Sequence, residues 1–393
     1  HHHHANPDSS TSRGLGDVYK RQTRDRATQI IESCVHCGFC LATCPTYQLL
    51  GDELDSPRGR IYLIKSALEQ NQFSLKSLSH MDRCLTCRSC ETTCPSGVEY
   101  GKLLEIGRDI MEPKRGKFQS IYRFLVRKVL LTPFIFKPIG YFFRHSKITT
   151  KLAKSENTDS TVLLMSGCVQ PTLAPNINHS IKNILSKLNV KVIETSQGDC
   201  CGALDHHLSA STDALKKVKR NIDFWTEQMS SGVEALISSA SGCGVMIKDY
   251  PGLFEISDPY YDKALLVASK TKDIAEFLAE KDLSMLNLSE LNVAYHEPCT
   301  MQHGQKLGGL VESILSEFGY IKKPIKDSHI CCGSAGAYSI FETKISNQLR
   351  ANKIENLNTS KPKMIVTSNI GCLLHLQKGS SVPVKHWVEL LDV

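Results

Sequence analysis

The chain has 393 residues, 41% of them hydrophobic, with sixteen cysteines and a formal net charge of +7. That length buries substantial cores and favours two or three domains, while clustered cysteines with no apolar secretory segment before them exclude a disulfide framework and point to metal. The charge excludes a nucleic-acid-binding stripe because it is local: residues 111–154 carry eleven Lys and Arg against Glu112 alone, a net +10 that leaves the rest at −3.

Residues 1–22 open with His1 to His4 and show no hydrophobic periodicity. They read as a non-native leader, with the native start missing. Residues 23–110 read as a helical domain interrupted by two cysteine runs. Ser56 and Pro57 supply an N-cap and a first-turn proline for a helix over 58–69, whose Ile61, Leu63, Ile64 and Leu68 share one apolar face. Such a domain has little core of its own, so groups bound by the cysteines would serve as its core.

The runs are Cys34, Cys37, Cys40, Cys44, Pro45 and Cys84, Cys87, Cys90, Cys94, Pro95, both spaced C-x2-C-x2-C-x3-C-P. This is the bacterial ferredoxin spacing: two-residue gaps curl the loop so that three thiolates meet one cubane, and the fourth cysteine crosses to the other. Two 4Fe-4S clusters are expected, one on Cys34, Cys37, Cys40 and Cys94 and one on Cys84, Cys87, Cys90 and Cys44. A pair of zinc sites is the alternative that CxxC spacing also allows. His36, between two ligands, reads as a surface or hydrogen-bonding residue.

Residues 111–158 read as a basic amphipathic linker. Between 118 and 143 aromatics and aliphatics mix with Arg and Lys, Pro133 and Pro138 break the segment, and no uncharged apolar piece approaches the roughly 20 residues that span a bilayer. One reading packs its apolar side on its own domains. The other lays it on an anionic surface, with Arg123, Arg127 and Lys128 among the contacts.

From Thr161 the chain duplicates itself with a period close to 130 residues. Residues 161–171 match 291–302, 198–207 match 328–337, and 235–244 match 364–372, giving units over 159–290 and 291–393. Short β-branched runs alternate with helical stretches such as 178–188 and 311–318, the pattern of parallel α/β units. The fold expected is therefore α+β and multidomain: an all-α, two-cluster, ferredoxin-like domain, then two duplicated α/β units. Cysteines in loops after the strands form two matched sets: Cys168, Cys200, Cys201 and Cys243, then Cys299, Cys331, Cys332 and Cys372. Gly202 and Gly333 allow a tight turn beside a bulky inorganic group, and ligands in open α/β sheets gather at these strand ends, so two related sites facing one interface are expected. Buried cysteines acting as small hydrophobes would explain single positions rather than four matched pairs.

On CVHCGFCLATCPTYQLLGDELDSPRGRIYLIKSALE (34–69), RCLTCRSCETTCPSGVEY (83–100), SGCVQPTLAPN (166–176), SASGCG (239–244) and DSHICCGSAGAYS (327–339), the chain resembles the CCG-domain redox proteins. These include the CCG-bearing component of heterodisulfide reductase, the lactate-utilisation proteins and the corresponding component of anaerobic glycerol-3-phosphate dehydrogenase; the nearest likeness is to glycolate oxidase iron-sulfur subunits. The resemblance implies a complex in which separate FAD-containing subunits oxidise glycolate to glyoxylate. This chain would pass the electrons singly through its two clusters to a membrane acceptor, a quinone, from a peripheral position on the cytoplasmic face of the inner membrane. No G-x-G-x-x-G opens a strand-to-helix unit, so neither FAD nor NAD is expected on this chain, nor catalytic residues, nor substrate oxidation by it alone. Alternatives are the same relay for a glycerol-3-phosphate or lactate dehydrogenase, and a non-redox zinc-binding assembly module. In the heterodisulfide reductase pattern each CCG unit ends in CxxC and its five cysteines hold a non-cubane cluster. Here Met246 and His375 replace the last cysteine, which leaves a further iron-sulfur cluster, a zinc site and an empty thiol pocket open, with His375 as an extra donor in the second unit.

Overall fold

The computed structural model describes residues 22–70, 73–146, 148, 160–195 and 200–392. It divides into two compact units, one ending at Arg115 and one beginning at Gly116.

The N-terminal unit is helical. Residues 22–32, Pro57–Gln70, Leu75–Asp82 and Tyr100–Met111 form its main helices, and short helices Cys40–Thr43 and Ser89–Thr93 follow the bends of the cysteine runs. The Ser56 side chain accepts a hydrogen bond from the Gly59 amide at 3.0 Å, so the cap and the proline start the helix where the sequence places them. Its inward face buries Ile61, Ile64, Ala67 and Leu68 against Leu103 and Leu104, and Cys84 and Cys90 belong to the same core. Arg60, fully buried, also lies on this helix. Its guanidinium donates to the His80 carbonyl at 2.7 Å and lies 3.4 Å from Asp55, which also accepts from His80 Nδ1 and Arg83, both at 2.9 Å. Asp55 thus sits among three cationic or polar donors, the arrangement a buried carboxylate requires.

The C-terminal unit starts with two helices, Lys117–Leu131 and Pro133–Phe142. Pro133 opens the second helix, but Pro138 lies inside it instead of ending it. Arg127 is buried and donates to Asp205 at 2.8 Å and Asp213 at 2.6 Å, which holds the first helix to the body of the unit.

Two parallel sheets follow. In the first, Ser160–Leu164 (β1), Val190–Glu194 (β2), Leu236–Ser238 (β3) and Thr271–Asp273 (β4) take the order β2-β1-β3-β4. In the second, Val293–His296 (β5), Met364–Thr367 (β6) and Val384–His386 (β7) take the order β5-β6-β7. Parallel sheets need cover on both faces, and a single apolar core runs from Val162, Ile181 and Ile237 of the first repeat to Val293, Ile365 and Trp387 of the second. The carboxyl ends of the strands meet. Ser241 donates its amide to the Ser368 carbonyl at 3.2 Å and pairs with the Thr300 hydroxyl at 2.7 Å, while His386 Nε2 lies 2.9 Å from the Ser239 carbonyl.

Candidate metal centres

No disulfide joins any of the sixteen cysteines. In the N-terminal unit the backbone explains how each run converges. His36 and Gly38 in the first run, and Thr86 and Arg88 in the second, take left-handed φ values of 54°, 86°, 51° and 59°. The same two positions in each run therefore reverse the chain, curling the loop so that its thiols face inward. Only one of the four is glycine; the other three hold a conformation that L-residues rarely adopt and that persists where the surroundings fix it.

Two cavities result. The first, about 440 Å³ including its mouth, is lined by Cys34, Cys37, Cys40 and Cys94, with Cys90 at its back. The second, about 310 Å³ including its mouth, is lined by Cys44, Cys84, Cys87 and Cys90. Pro57, Cys90 and Tyr100 line both. The first opens outward beside exposed Val35, His36, Cys37 and Phe39, whereas all four cysteines of the second are buried. His36 is a surface residue in the wall of the first cavity.

The lining fits an anionic, sulfur-ligated group. In the second cavity one guanidinium nitrogen of Arg60, Nη1, is buried without a hydrogen-bond partner, and a buried N–H left unpaired costs about 1–3 kcal/mol unless an acceptor arrives. Tyr100 reaches Cys84 Sγ at 3.7 Å, and Thr46 lies 3.3 Å from Cys44 Sγ. Burial pushes the Cys40 thiol up to about 11 and the Cys90 thiol well above the ordinary range. Their deprotonation therefore has to be driven by a bound cation.

The eight C-terminal cysteines come together in two groups of four. Cys168 and Cys299 follow β1 and β5, and the vicinal pairs Cys200–Cys201 and Cys331–Cys332 sit in loops. Cys243 and Cys372 lie in the first turns of the helices Ser241–Lys248 and Ile370–Gln377, not in loops. Gly202 and Gly333 have φ of 84° and 89°, and a Cβ on Gly333 would stand 2.6 Å from the Ser346 carbonyl oxygen, so glycine is obligatory after that pair. In the first group Cys168 lies beside Cys200, and Cys201 beside Cys243, so each pair of thiols interacts. The Cys168 thiol and the Lys217 charge bring Cys200 down to about 7 against the cost of burial.

In the second group Cys299 Sγ lies 3.8 Å from Cys331 Sγ. Donor atoms of His296, Cys332 and Cys372 lie within 4.8 Å of one another. His296, the last residue of β5, escapes a reading based on cysteine matching because Met165 occupies its place in the first repeat. The H-x-x-C spacing to Cys299 was the available signal. His375 is turned elsewhere: its Nε2 lies 3.2 Å from the Ser346 hydroxyl and 3.3 Å from the Ser346 carbonyl.

Residues 30–98 match the model of the 4Fe-4S dicluster domain, and residues 162–248 and 293–377 each match that of the cysteine-rich CCG domain. The glycolate oxidase iron-sulfur subunit of Escherichia coli K12 is 44% identical over 93% of this chain and 94% of its own length. The chain belongs to the family of glycolate oxidase iron-sulfur subunits. A probable member from Bacillus subtilis is 28% identical over 88% of both chains. Lactate utilization protein A of the same organism is 24% identical over 59% of this chain and 98% of its own. With the family come the ferredoxin-like unit and the two CCG repeats described above.

Proposed function

We propose that this chain is the electron-relay subunit of a glycolate oxidase complex, receiving electrons from FAD-containing subunits and passing them to a quinone at the cytoplasmic face of the inner membrane. The observation that carries the reading is the pair of thiol-lined cavities with Cys90 and Tyr100 in both walls, one with Cys37 exposed at the surface and one whose four cysteines are all buried. We assign Cys34, Cys37, Cys40 and Cys94 to one 4Fe-4S cluster and Cys44, Cys84, Cys87 and Cys90 to the other. Bound there, the clusters supply one-electron storage at potentials set by burial and by hydrogen bonds to sulfur. The chain's own residues supply the rest. Arg60 brings its unpaired N–H and its charge to the wall of the second site, Tyr100 offers a hydroxyl to Cys84, and Pro57 and Tyr100 line both sites.

The membrane contact is assigned to the helices Lys117–Leu131 and Pro133–Phe142. Phe118 and Phe134 are 91% and 92% exposed, Phe142 and Phe143 are exposed as well, and Lys117, Lys128 and Lys137 are exposed on the same two helices. Apolar rings with lysines among them suit an anionic headgroup layer. Arg127 is not part of this surface, because it is spent on Asp205 and Asp213. Among the described residues no helix is long and apolar enough to cross a membrane.

The test is anaerobic co-purification with the flavoprotein subunits, followed by visible spectroscopy. Glycolate should bleach the absorption of the complex, whereas the chain alone should respond to dithionite and not to glycolate. Bleaching by lactate or glycerol 3-phosphate in place of glycolate would move the chain to the corresponding complex.

A further inference from the structure

We propose that Arg60 sets the reduction potential of the cluster assigned to Cys44, Cys84, Cys87 and Cys90, raising it against the effect of burial. This rests on the relay reading and adds to it the residue that makes the buried site able to accept an electron.

Reduction there adds one negative charge and makes or breaks no bond; the electron comes from the flavin-bearing partner, or from dithionite in a titration. Cys44, Cys84, Cys87 and Cys90 are each no more than 9% exposed, whereas Cys37 of the first site lies at the surface. Placing added charge away from water is unfavourable. Burial alone therefore makes the second site the poorer acceptor, and a fixed positive charge is what offsets it.

Arg60 supplies that charge. It is 0% exposed and lines the second cavity, with its charge next to Cys84 and Cys44. A guanidinium stays protonated at any working pH, so the charge is permanent. Nε donates to the His80 carbonyl and Nη2 to Thr46 Oγ1 at 3.1 Å, while Nη1 has no partner. Asp55 offsets Arg60 only in part: its carboxylate is 3.4 Å from Arg60 but 2.9 Å from Arg83, so two guanidinium charges share one carboxylate. Arg88 lines the same cavity, and among the described residues no Asp or Glu does.

The first site has a guanidinium too, but a neutralised one. Arg58, two residues earlier on the helix Pro57–Gln70, lines the first cavity. Its Nε and Nη2 donate to the Glu53 carboxylate at 2.5 and 3.3 Å, and both side chains are partly exposed. A paired charge in contact with solvent is offset by its partner and screened by water and salt. One helix start thus presents a guanidinium to each cavity, and only that of Arg60 acts from the interior.

The experiment is an EPR-monitored redox titration of the full-length protein purified anaerobically, the second site's signal being the one that Cys87→Ser perturbs. Arg60→Gln should lower the one-electron reduction equilibrium of that signal at least about ten-fold, a fall of about 59 mV in midpoint potential, and leave the other signal within about two-fold. Because glutamine could disturb the buried network, Arg60→Lys is the second variant: it keeps the charge and should stay within about three-fold of the unaltered protein. Arg58→Gln should leave the second signal within about two-fold. An unmoved second signal in iron-loaded Arg60→Gln, a fall of about ten-fold or more in Arg60→Lys, or an equal fall of that signal in Arg58→Gln overturns this inference and leaves the relay reading standing. Protein that holds no iron after anaerobic reconstitution overturns both.

Discussion

The cysteines at 34–94 and those at 168–372 are equal in number and are gathered by different means. In the N-terminal unit each group of four takes three thiols from one seven-residue loop, and paired left-handed residues aim them. In the C-terminal unit each group draws on three segments that only the sheets bring together, from a strand end, a Cys-Cys-Gly loop and a helix start. The first arrangement puts thiols into the core itself, beside Ile61, Leu103 and Leu104. The second also buries thiols in its cores, Cys332 and Cys372 in one and Cys201 in the other, but those cores are built mainly from aliphatic and aromatic side chains of the sheets and their covering helices. Metal should therefore be a condition of folding in one unit and a fastening in the other.

Removing iron is the strongest way to break this comparison. Chelation under reducing conditions should abolish the protease resistance of residues 22–115 while leaving 160–392 resistant, as read by limited proteolysis and mass spectrometry. Simultaneous loss of both units would show that the C-terminal cores do not stand alone.

Next in size is Asp55→Asn, which removes the buried carboxylate that Arg60, His80 and Arg83 share. Breaking a buried pair from one side costs about 3–5 kcal/mol. The N-terminal transition in a denaturant titration should shift by that amount and the C-terminal one should not move. A shift below about 1 kcal/mol would mean the network is solvated.

The smallest effect concerns the amphipathic helices of the C-terminal unit. Lys117, Lys128 and Lys137 changed together to Gln should weaken binding to anionic vesicles by about 1 kcal/mol per lysine at low salt, less as salt rises, with iron content unchanged. Equal sedimentation with neutral and anionic vesicles would remove the membrane assignment. Arg127 is unsuited to such a test, because its loss would remove one of the two cations that hold buried Asp205, leaving Lys217 alone.

How far the sequence could be read follows the same division. The ferredoxin runs announce themselves because their ligand geometry is local: C-x2-C-x2-C-x3-C-P specifies which thiols converge. The Ser56–Pro57 helix start is local too, and the helix begins there. The duplication and its strands were legible from matched segments. His296 was not, since one histidine at the end of a buried strand has no local pattern and gains its meaning only when Cys332 and Cys372 arrive from elsewhere in the fold. His375 stands out through its offset from Cys372, yet the helix turns it to Ser346. Arg127 reads as one more basic residue in a basic segment until Asp205 and Asp213, 78 and 86 residues away, are placed beside it.

The central claim, two 4Fe-4S clusters with exchanged fourth ligands, is tested most directly by iron and sulfide analysis combined with EPR of partly reduced, anaerobically purified protein. The account predicts about eight iron and eight sulfide in these two sites. It also predicts that Cys94→Ser perturbs the same signal as Cys34→Ser, and that Cys44→Ser perturbs the same signal as Cys87→Ser. Zinc in place of iron after anaerobic reconstitution, or Cys94→Ser and Cys87→Ser acting on one signal, would contradict it.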